Sequence, residues 1–421
     1  MFNNTLFGFN RLFLLDFLGG TSIKKTLLEL ENQQYLPTDT LKRIQNEKFN
    51  ILFKIATSST QFYKSTQSYD TLEVLEKPMI RDHFSSFIVN GYNKKLFAKF
   101  TGGSSGIPFK YLTTVESRSF MWAGIILSWK ISGYKIGDKI AFIAGSSILK
   151  SSFKHKIFYK IFNINIYSVF DLSNESIKLY LDNIYNNKTK IIYGYATAIN
   201  CIANYIHLNG YKNIPFLKGI ICTAEIMTDS MRQNIENAFN VKVYNQYGCN
   251  EAGVSAFECE YNNMHLINTR SFYNVDSEGN LISTDLSNKG FILLKYKTGD
   301  QVKFSNNQSC HCNRNFPIIG EINGRTGDII VDKNSNTIHY LFFNILFRND
   351  MNITQFQISY DKTDLNINIK VKNKYLDNSY FDNYISQIKK KIHFDHYNLL
   401  INQPFIQLEN AKHSPIVKIT I

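Results

Sequence analysis

At 421 residues the chain exceeds the size at which one hydrophobic core usually stops growing, so two or more domains are expected. Its 44% hydrophobic and 14% aromatic content excludes a disordered chain. The formal net charge of +13 is scattered through segments such as KKLFAKF and KHKIFYKIF, so no basic stripe for nucleic acid is visible; the diffuse positive field suits an anionic small molecule, although a lysine- and asparagine-rich genome gives the same composition.

The first twenty or so residues, MFNNTLFGFNRLFLLDFLGG, are apolar but interrupted by Asn10, Arg11 and Asp16. With no basic start before a clean apolar run, they do not read as a signal peptide. They read as an amphipathic helix docking on the protein's own core, with peripheral membrane contact as the alternative. No run of about 18 apolar residues occurs, so no transmembrane segment is expected and the cytoplasm is the natural location. From Thr21 to about Lys99 the pattern is mostly helical, as in LKRIQNEKFNILFKIA, where apolar residues recur three and four apart.

After a glycine/serine stretch, ESRSFMWAGIILSWKISGYK reads as a helix. KIAFIAG, FNINIYSVF, KTKIIYGYA, LKGIICTA and VKVYNQYG read as short strands separated by helical stretches, which implies a doubly wound, mostly parallel sheet. From Phe257 to Phe304 the segments HLINTRSFYNVD, NLISTDL and GFILLKYKTGD resemble strands joined by turns and suggest a small antiparallel unit. Beyond Gly324, FQISYDKTDLNINIKVKN reads as a hairpin and YFDNYISQIKKKIHF as an amphipathic helix. The expected fold is therefore α/β: a large N-terminal domain over 1–326 with doubly wound mixed sheets and the small antiparallel unit, and a small α+β C-terminal domain over 327–421, with the boundary near Gly327.

The stretch Thr101-Gly102-Gly103-Ser104-Ser105-Gly106-Ile107-Pro108-Phe109-Lys110 concentrates small flexible residues, hydroxyls and a lysine, as a loop needs if its backbone N–H groups are to wrap phosphate oxygens. Its spacing is not that of a P-loop NTPase. Ser104 and Ser105 lack the context of a nucleophile elbow, and no motif sets a histidine beside them, so a hydrolase is set aside. Three further motifs follow in order: Tyr247-Gly248-Cys249-Asn250-Glu251, Tyr296-Lys297-Thr298-Gly299-Asp300 and Gly324-Arg325-Thr326-Gly327-Asp328.

This ordered set resembles the superfamily of adenylate-forming enzymes, which comprises acyl- and aryl-CoA ligases, adenylation domains of peptide synthetases and luciferases. MTDSMRQNIENAFNVKVYNQYG and CHCNRNFP are similar to its phenylacetate-CoA ligase and capsule-biosynthesis branch. The resemblance covers roughly Phe97 to Asp328. It implies that the chain binds ATP and a small carboxylic acid, forms an acyl-adenylate with release of pyrophosphate, and passes the acyl group to coenzyme A. Transfer to an amine, a sugar or a carrier protein is the alternative, and a degenerate nucleotide-binding protein is a third reading.

By the same resemblance, Thr101 to Gly106 and Lys110 hold phosphates, Glu251 ligates Mg²⁺, Asp300 accepts the ribose hydroxyls, and Thr223, Ala224 and Glu225 line the adenine pocket. Tyr247 and Gly248 lie against adenine or substrate, and Arg325 contacts the ribose and phosphate region. The strand end from Tyr193 to Ala198 helps to form the acyl pocket, as doubly wound sheets place ligands at strand carboxyl ends. Lys418 is the nearest match to the family's catalytic lysine, with Val417 where glycine is expected and a frayed tail as the alternative. At the hinge, Gly327 stands where the family has an acid.

The six cysteines of a long intracellular chain do not suggest a disulfide framework. Cys259, His265, Cys310 and Cys312 offer three sulfurs and an imidazole, a closed set for structural Zn²⁺, with His311 as a substitute ligand and free thiols as the alternative. Cys201, Cys222 and Cys249 sit in apolar or motif contexts and read as inert.

Overall fold

Three helices open the chain: α1 (Asn3–Gly19), α2 (Ile23–Gln33) and α3 (Thr38–Ser59). Asp16 makes the corner between the first two. Its carboxylate accepts from the backbone N–H of Ile23 at 2.6 Å and of Lys24 at 2.9 Å, satisfying two donors that a helix start leaves unpaired and opposing its dipole. Leu12 and Leu15 of α1 are buried with Leu27 and Leu30 of α2, so this face of the N-terminal helix docks on the protein's own core, as expected. The computed structural model describes residues 3–101, 109–144, 153–169, 171–225, 227, 229–325, 329–334, 337–347, 350, 352–371, 376–406 and 416–419.

After a short helix α4 (Lys77–Asp82), the strands β1 (Phe97–Thr101) and β2 (Phe109–Thr113) pair antiparallel, with Thr101 opposite Phe109. Helix α5 (Val115–Ile131) follows; the Thr114 hydroxyl caps it by accepting from the Ser117 N–H at 3.2 Å. Then β3 (Ile140–Ala144), β4 (Ile164–Ser168), β5 (Ile191–Tyr195), β6 (Gly219–Thr223) and β7 (Val243–Cys249) pair in parallel. Between them run α6 (Phe153–Ile161), α7 (Asn174–Asn186), α8 (Ala196–Asn209) and α9 (Asp229–Phe239).

Side-chain alternation covers both faces of this sheet. Ile140, Phe142, Ile191 and Tyr193 pack with Leu127 and Trp129 of α5, whereas Ala141, Ile143, Ile192 and Ile220 pack with Leu181 of α7, Ile199 of α8 and Ile235 of α9. That is the doubly wound arrangement read from the sequence.

The antiparallel strands are not a separate unit. Strands β8 (Val254–Glu258), β9 (Met264–Leu266), β10 (Ser271–Val275), β11 (Asn280–Asp285), β12 (Tyr296–Phe304) and β13 (Ile318–Arg325) extend the parallel part into one 11-stranded sheet. Its order is β10-β11-β12-β13-β9-β8-β7-β6-β5-β3-β4, and direction reverses between β7 and β8. HLINTRSFYNVD divides into β9 and β10. GFILLKYKTGD enters the sheet only at Tyr296, because the preceding residues are used elsewhere: the Ile292 N–H donates to Phe87 O at 3.1 Å and the Leu294 N–H to the Tyr63 hydroxyl at 2.9 Å.

An ion pair between half-buried Arg232 and buried Glu258 fixes α9 to the place where direction changes. Arg232 donates to both oxygens of Glu258 at 2.7 and 2.9 Å and to Val243 O at 2.6 Å, while Glu258 also accepts from the Asn245 N–H at 2.7 Å. Burial pushes the Glu258 pKa up and the guanidinium opposes that shift.

Beyond β13 come β14 (Ile329–Val331), β15 (Thr337–His339) and α10 (Tyr340–Phe347). The expected hairpin is β16 (Ile353–Tyr360) and β17 (Asp364–Val371); α11 (Asp382–Lys389) is shorter than the pattern suggests and follows a 3₁₀ turn over Asn378–Phe381. With β18 (His396–Ile401) and β19 (Ile416–Lys418) they form a 4-stranded sheet of order β18-β17-β16-β19. Among the described residues its core, including Phe343, Ile358, Ile367 and Ile388, is drawn from Ile330 onward.

Replacing Arg232 by Met strands the Glu258 carboxylate in the interior. We expect the Arg232→Met variant to lose about 3 kcal/mol of stability in urea unfolding, the typical cost of removing one partner of a buried pair.

Candidate active site

The carboxyl ends of β5, β6 and β7 lie side by side, with Tyr195 opposite Thr223 and Thr223 opposite Gln246. Parallel sheets present ligand-binding loops at this edge. The turn after β6 holds Ala224 at a φ of 66°, a left-handed conformation that costs a non-glycine residue about 1 kcal/mol. This geometry brings Glu225 onto the start of α8, where its carboxylate accepts from the Thr197 N–H at 2.9 Å and the Thr197 hydroxyl at 2.7 Å. The anion is stabilised there by the helix dipole.

Two distant motifs meet directly. The Tyr247 hydroxyl, just past the middle of β7, donates to Asp300 Oδ2 on β12 at 2.7 Å. Asp300 is buried, its own N–H donates to the Thr298 hydroxyl at 3.1 Å, and it lies opposite Arg325 across the β12–β13 ladder. Gly248 is exposed at the same edge. Glu251 sits in the 3₁₀ turn Asn250–Ala252 and is buried. Among the described residues no donor bonds its carboxylate, which fits a ligand of a hard cation.

Strand β2 brings the root of the glycine/serine loop to this place. The Phe109 ring stacks on Tyr296 at 5.8 Å, at the start of the strand that carries Asp300. Tyr111, two residues on and therefore on the same face, stands near Glu251; burial, reinforced by that carboxylate, pushes its phenol pKa well up and keeps it protonated. Lys110 points to the other face, exposed, its ammonium 5.0 Å from the centre of the Phe84 ring. Thr101 ends β1; Gly102, Gly103, Ser104, Ser105 and Gly106 lie outside the described residues, as do 326–328 at the expected hinge.

The remaining sequence-derived residues are placed as follows. Tyr193 belongs to the buried aromatic layer, its ring 4.8 Å from Phe142 and 5.3 Å from Trp129, and its hydroxyl donates to Gln246 at 2.7 Å. Lys418 is exposed on β19, opposite Tyr360 of β16, so the chain end is an edge strand of the smaller sheet.

Sequence reasoning missed the support beneath Glu251. Arg270, fully buried, donates to Ser255 Oγ and to Asn250 Oδ1, the latter at 3.3 Å. Asp285, whose charge offsets the burial of Arg270, accepts from the Ser117 hydroxyl of α5 at 2.6 Å. Gly253 packs on Asp285 so closely, at a φ of 70°, that an added Cβ would lie 2.6 Å from the Asp285 Cα. The one signal was an arginine inside an otherwise uncharged strand-like run.

Cys259, His265, Cys310 and Cys312 converge, with all four ligand atoms within 4.8 Å of one another. The Cys259–Cys310 sulfur separation is 3.6 Å and Cys312 Sγ lies 3.3 Å from His265 Nε2, close to the edges of about 3.8 Å that a tetrahedron of zinc–sulfur bonds requires. His265 Nδ1 lies 2.9 Å from Phe316 O and burial lowers the imidazole pKa, so the ring stays neutral with Nε2 facing the sulfurs. Asn263 donates to Cys310 Sγ at 3.2 Å. Such outer contacts orient metal ligands. The set would close the segment between β12 and β13 onto the β8–β9 turn.

Replacing Tyr247 by Phe removes a donor from a buried carboxylate. The Tyr247→Phe variant is expected to be about 2 kcal/mol less stable in urea unfolding at neutral pH.

No family model matches the chain. Among curated proteins, Protein CapK of Staphylococcus aureus is 26% identical over 318 residues, covering 71% of each chain. Among solved structures, 2-hydroxyisobutyryl-CoA ligase in the postadenylation state with R3-HIB-AMP superposes with a TM-score of 0.70 at 14% identity over 92% of both chains. The same ligase in an open conformation, with 2-HIB-AMP and CoA, gives 0.58 at 13% identity over 91% of this chain and 93% of that one. The chain thus has the fold of the adenylate-forming CoA ligases, as its motifs implied, and is a sequence relative of Protein CapK.

Proposed function

We propose that this protein activates a small carboxylic acid with ATP and transfers the acyl group to coenzyme A, as an acid–thiol ligase. The observation that carries the reading is the convergence of Tyr247, Asp300, Glu251 and the root of the glycine/serine loop at the carboxyl edge of the parallel strands. In the first step a substrate carboxylate oxygen attacks the α-phosphorus of ATP and the bond to the bridging oxygen of pyrophosphate breaks. In the second, the thiol sulfur attacks the acyl carbon, its proton is lost and AMP leaves.

Each half needs different help from the chain. Negative charge grows on the α-phosphate in the first step, so fixed donors are worth most there. Thr101 and the following loop would supply them, with Arg325 beside the ribose. Asp300, held by Tyr247, would accept the ribose hydroxyls, and the turn from Thr223 to Glu225, braced by Thr197, would close the adenine side. Glu251 would hold Mg²⁺, which supplies charge neutralisation at the phosphates. Lys110, stacked on Phe84 and facing away from Tyr111, is assigned no part. Lys418 would be the cation that meets the carboxylate and phosphate as residues beyond a hinge at 326–328 move; Gly327 can absorb such a backbone change.

An ATP–pyrophosphate exchange assay over aryl, fatty and hydroxy acids tests the reading directly. Exchange with at least one acid is expected, falling about a hundredfold in Glu251→Gln and in Lys418→Ala. Transfer from a supplied acyl-adenylate to coenzyme A should be little changed in Lys418→Ala. No exchange with any acid would sink the proposal. An acylated amine, sugar or carrier without acyl-CoA would redirect its second half.

We also propose that the Cys259, His265, Cys310 and Cys312 cluster holds a structural Zn²⁺. All four positions of a tetrahedron are filled by protein, so the ion braces the fold and leaves no open site for chemistry. Elemental analysis should find one zinc per chain, and Cys310→Ser should lose the metal together with several degrees of melting temperature. A fully folded, metal-free wild type contradicts the site.

A further inference from the structure

Strand β1 carries a cation on the side of the ribbon that Lys110 turns away from. Its register with β2 sets Phe97, Lys99 and Thr101 opposite Thr113, Tyr111 and Phe109, so these side chains share one face. That face is the inner one: Phe109, Tyr111 and Thr113 are buried, whereas Ala98, Phe100 and Lys110 of the other face are exposed. Lys99 is half-buried and stands directly across from Tyr111, the residue near Glu251.

Helix α5 brings a second cation to the same place. Ser132, which follows the helix, packs on Gly219 at the amino end of β6, whereas Gly124, in its middle, lies against Ser255, the partner of Gly248 near the end of β7. Arg118, nearer the start of the helix, is therefore on the carboxyl-edge side. It is half-buried, and its guanidinium carbon lies 4.3 Å from the centre of the ring of Phe97, which neighbours Lys99 on the inner face. The two cations have no counter-charge. Burial lowers the pKa of both groups and Arg118 lowers that of Lys99 further; among the described residues no carboxylate offsets either shift. Glu116, on the same helix, is paired with Lys94 at 2.6 Å, and the stretch from Gly102 to Pro108, which joins β1 to β2, includes no acid. Like charges partly withdrawn from water near one another repel, and each is costly to desolvate without a partner. An anion seated between them offsets both effects.

We infer that Lys99 and Arg118 form a subsite for a phosphate monoester dianion at the margin of the proposed nucleotide site. A pair of cations matches the charge of such a group, and the guanidinium offers the parallel donors that phosphate oxygens accept. A carboxylate, with a single charge, would leave the pair half-neutralised. The inference rests on the function proposed above, which supplies two sources of this chemistry: the terminal phosphate of ATP and the 3′-phosphate of coenzyme A.

Two measurements on the full chain, made with the wild type, Lys99→Gln, Lys99→Arg and Arg118→Gln, decide the matter. Inorganic phosphate, a probe that needs no turnover, should raise the melting temperature of the wild type by several degrees more than that of either glutamine variant. Calorimetric titration then assigns the source. Lys99→Gln should weaken ATP about tenfold and leave ADP unchanged if the pair holds the terminal phosphate of ATP, or weaken coenzyme A about tenfold and leave dephospho-coenzyme A unchanged if it holds the 3′-phosphate; Lys99→Arg should retain most of the affinity in either case. An equal phosphate response in the wild type and both glutamine variants overturns the inference. So do wild-type ratios of ATP to ADP affinity and of coenzyme A to dephospho-coenzyme A affinity in glutamine variants that bind these ligands. A variant-sensitive phosphate response in a protein without ATP–pyrophosphate exchange removes the proposed reaction and keeps the subsite.

Discussion

The bond from the Tyr247 hydroxyl to Asp300 holds together two halves of one sheet that obey different rules. On the β7 side the strands are parallel and helices cover both faces, so functional groups can emerge only at the carboxyl edge. On the β12 side the strands are antiparallel and connected by turns, so groups emerge wherever register puts them. Because β8 and β9 pair with β7 and β13 without a break, the separation of the two carboxylates, Glu251 and Asp300, is set by strand geometry. A sheet of hydrogen-bonded strands is stiffer than loops, and a site proposed to hold phosphate, ribose and metal together would benefit from that stiffness.

The rest of the large unit braces this junction. Arg232 and Glu258 fix α9 at the point of reversal; Arg270 and Asp285 lie beneath the turn of Glu251, and Ser117 ties them to α5. Buried charges are costly to desolvate and contribute little net stability. What they provide here is position: Arg232 and Glu258 bond backbone atoms of β7, Arg270 bonds Asn250 in the β7–β8 turn, and Asp285 takes the Ser117 hydroxyl of α5. The Cys/His cluster gathers Cys259 after β8, His265 on β9, and Cys310 and Cys312 from the segment between β12 and β13.

Much of this was legible in the sequence, and the boundary of legibility has physical causes. The parallel strands were readable because strands buried on both faces leave continuous apolar runs, as in IIYGY and GIICT. The meeting of Tyr247 and Asp300 joins two motifs that were readable because turns and strand ends restrict residue type locally. The single continuous sheet was not readable, since the pairing of β9 with β13 joins residues some fifty positions apart by backbone groups that every sequence possesses. Tyr111 and Arg270 were missed for a related reason: each takes its role from a tertiary neighbour. Lys110 is different. The alternation in FKYLT places it opposite Phe109 and Tyr111, so period-two reasoning applied to that strand alone would have removed it from the site.

The smaller unit raises the question of what a lysine on an edge strand can do. Among the described residues its hydrophobic cluster gathers Ile330 and residues after it, and Lys418 is exposed outside that cluster. In the edge strand β19, Ile416 and Val417 are buried while Lys418 is exposed. The ordinary use of such a lysine is to block pairing with other sheets. In the proposed reaction it has a second use: adenylation needs a cation only until pyrophosphate has left, and a thiol must then reach the same carbonyl. A charge carried on the smaller sheet lies outside the strands that position Tyr247 and Asp300, which a lysine rooted in the 11-stranded sheet would not.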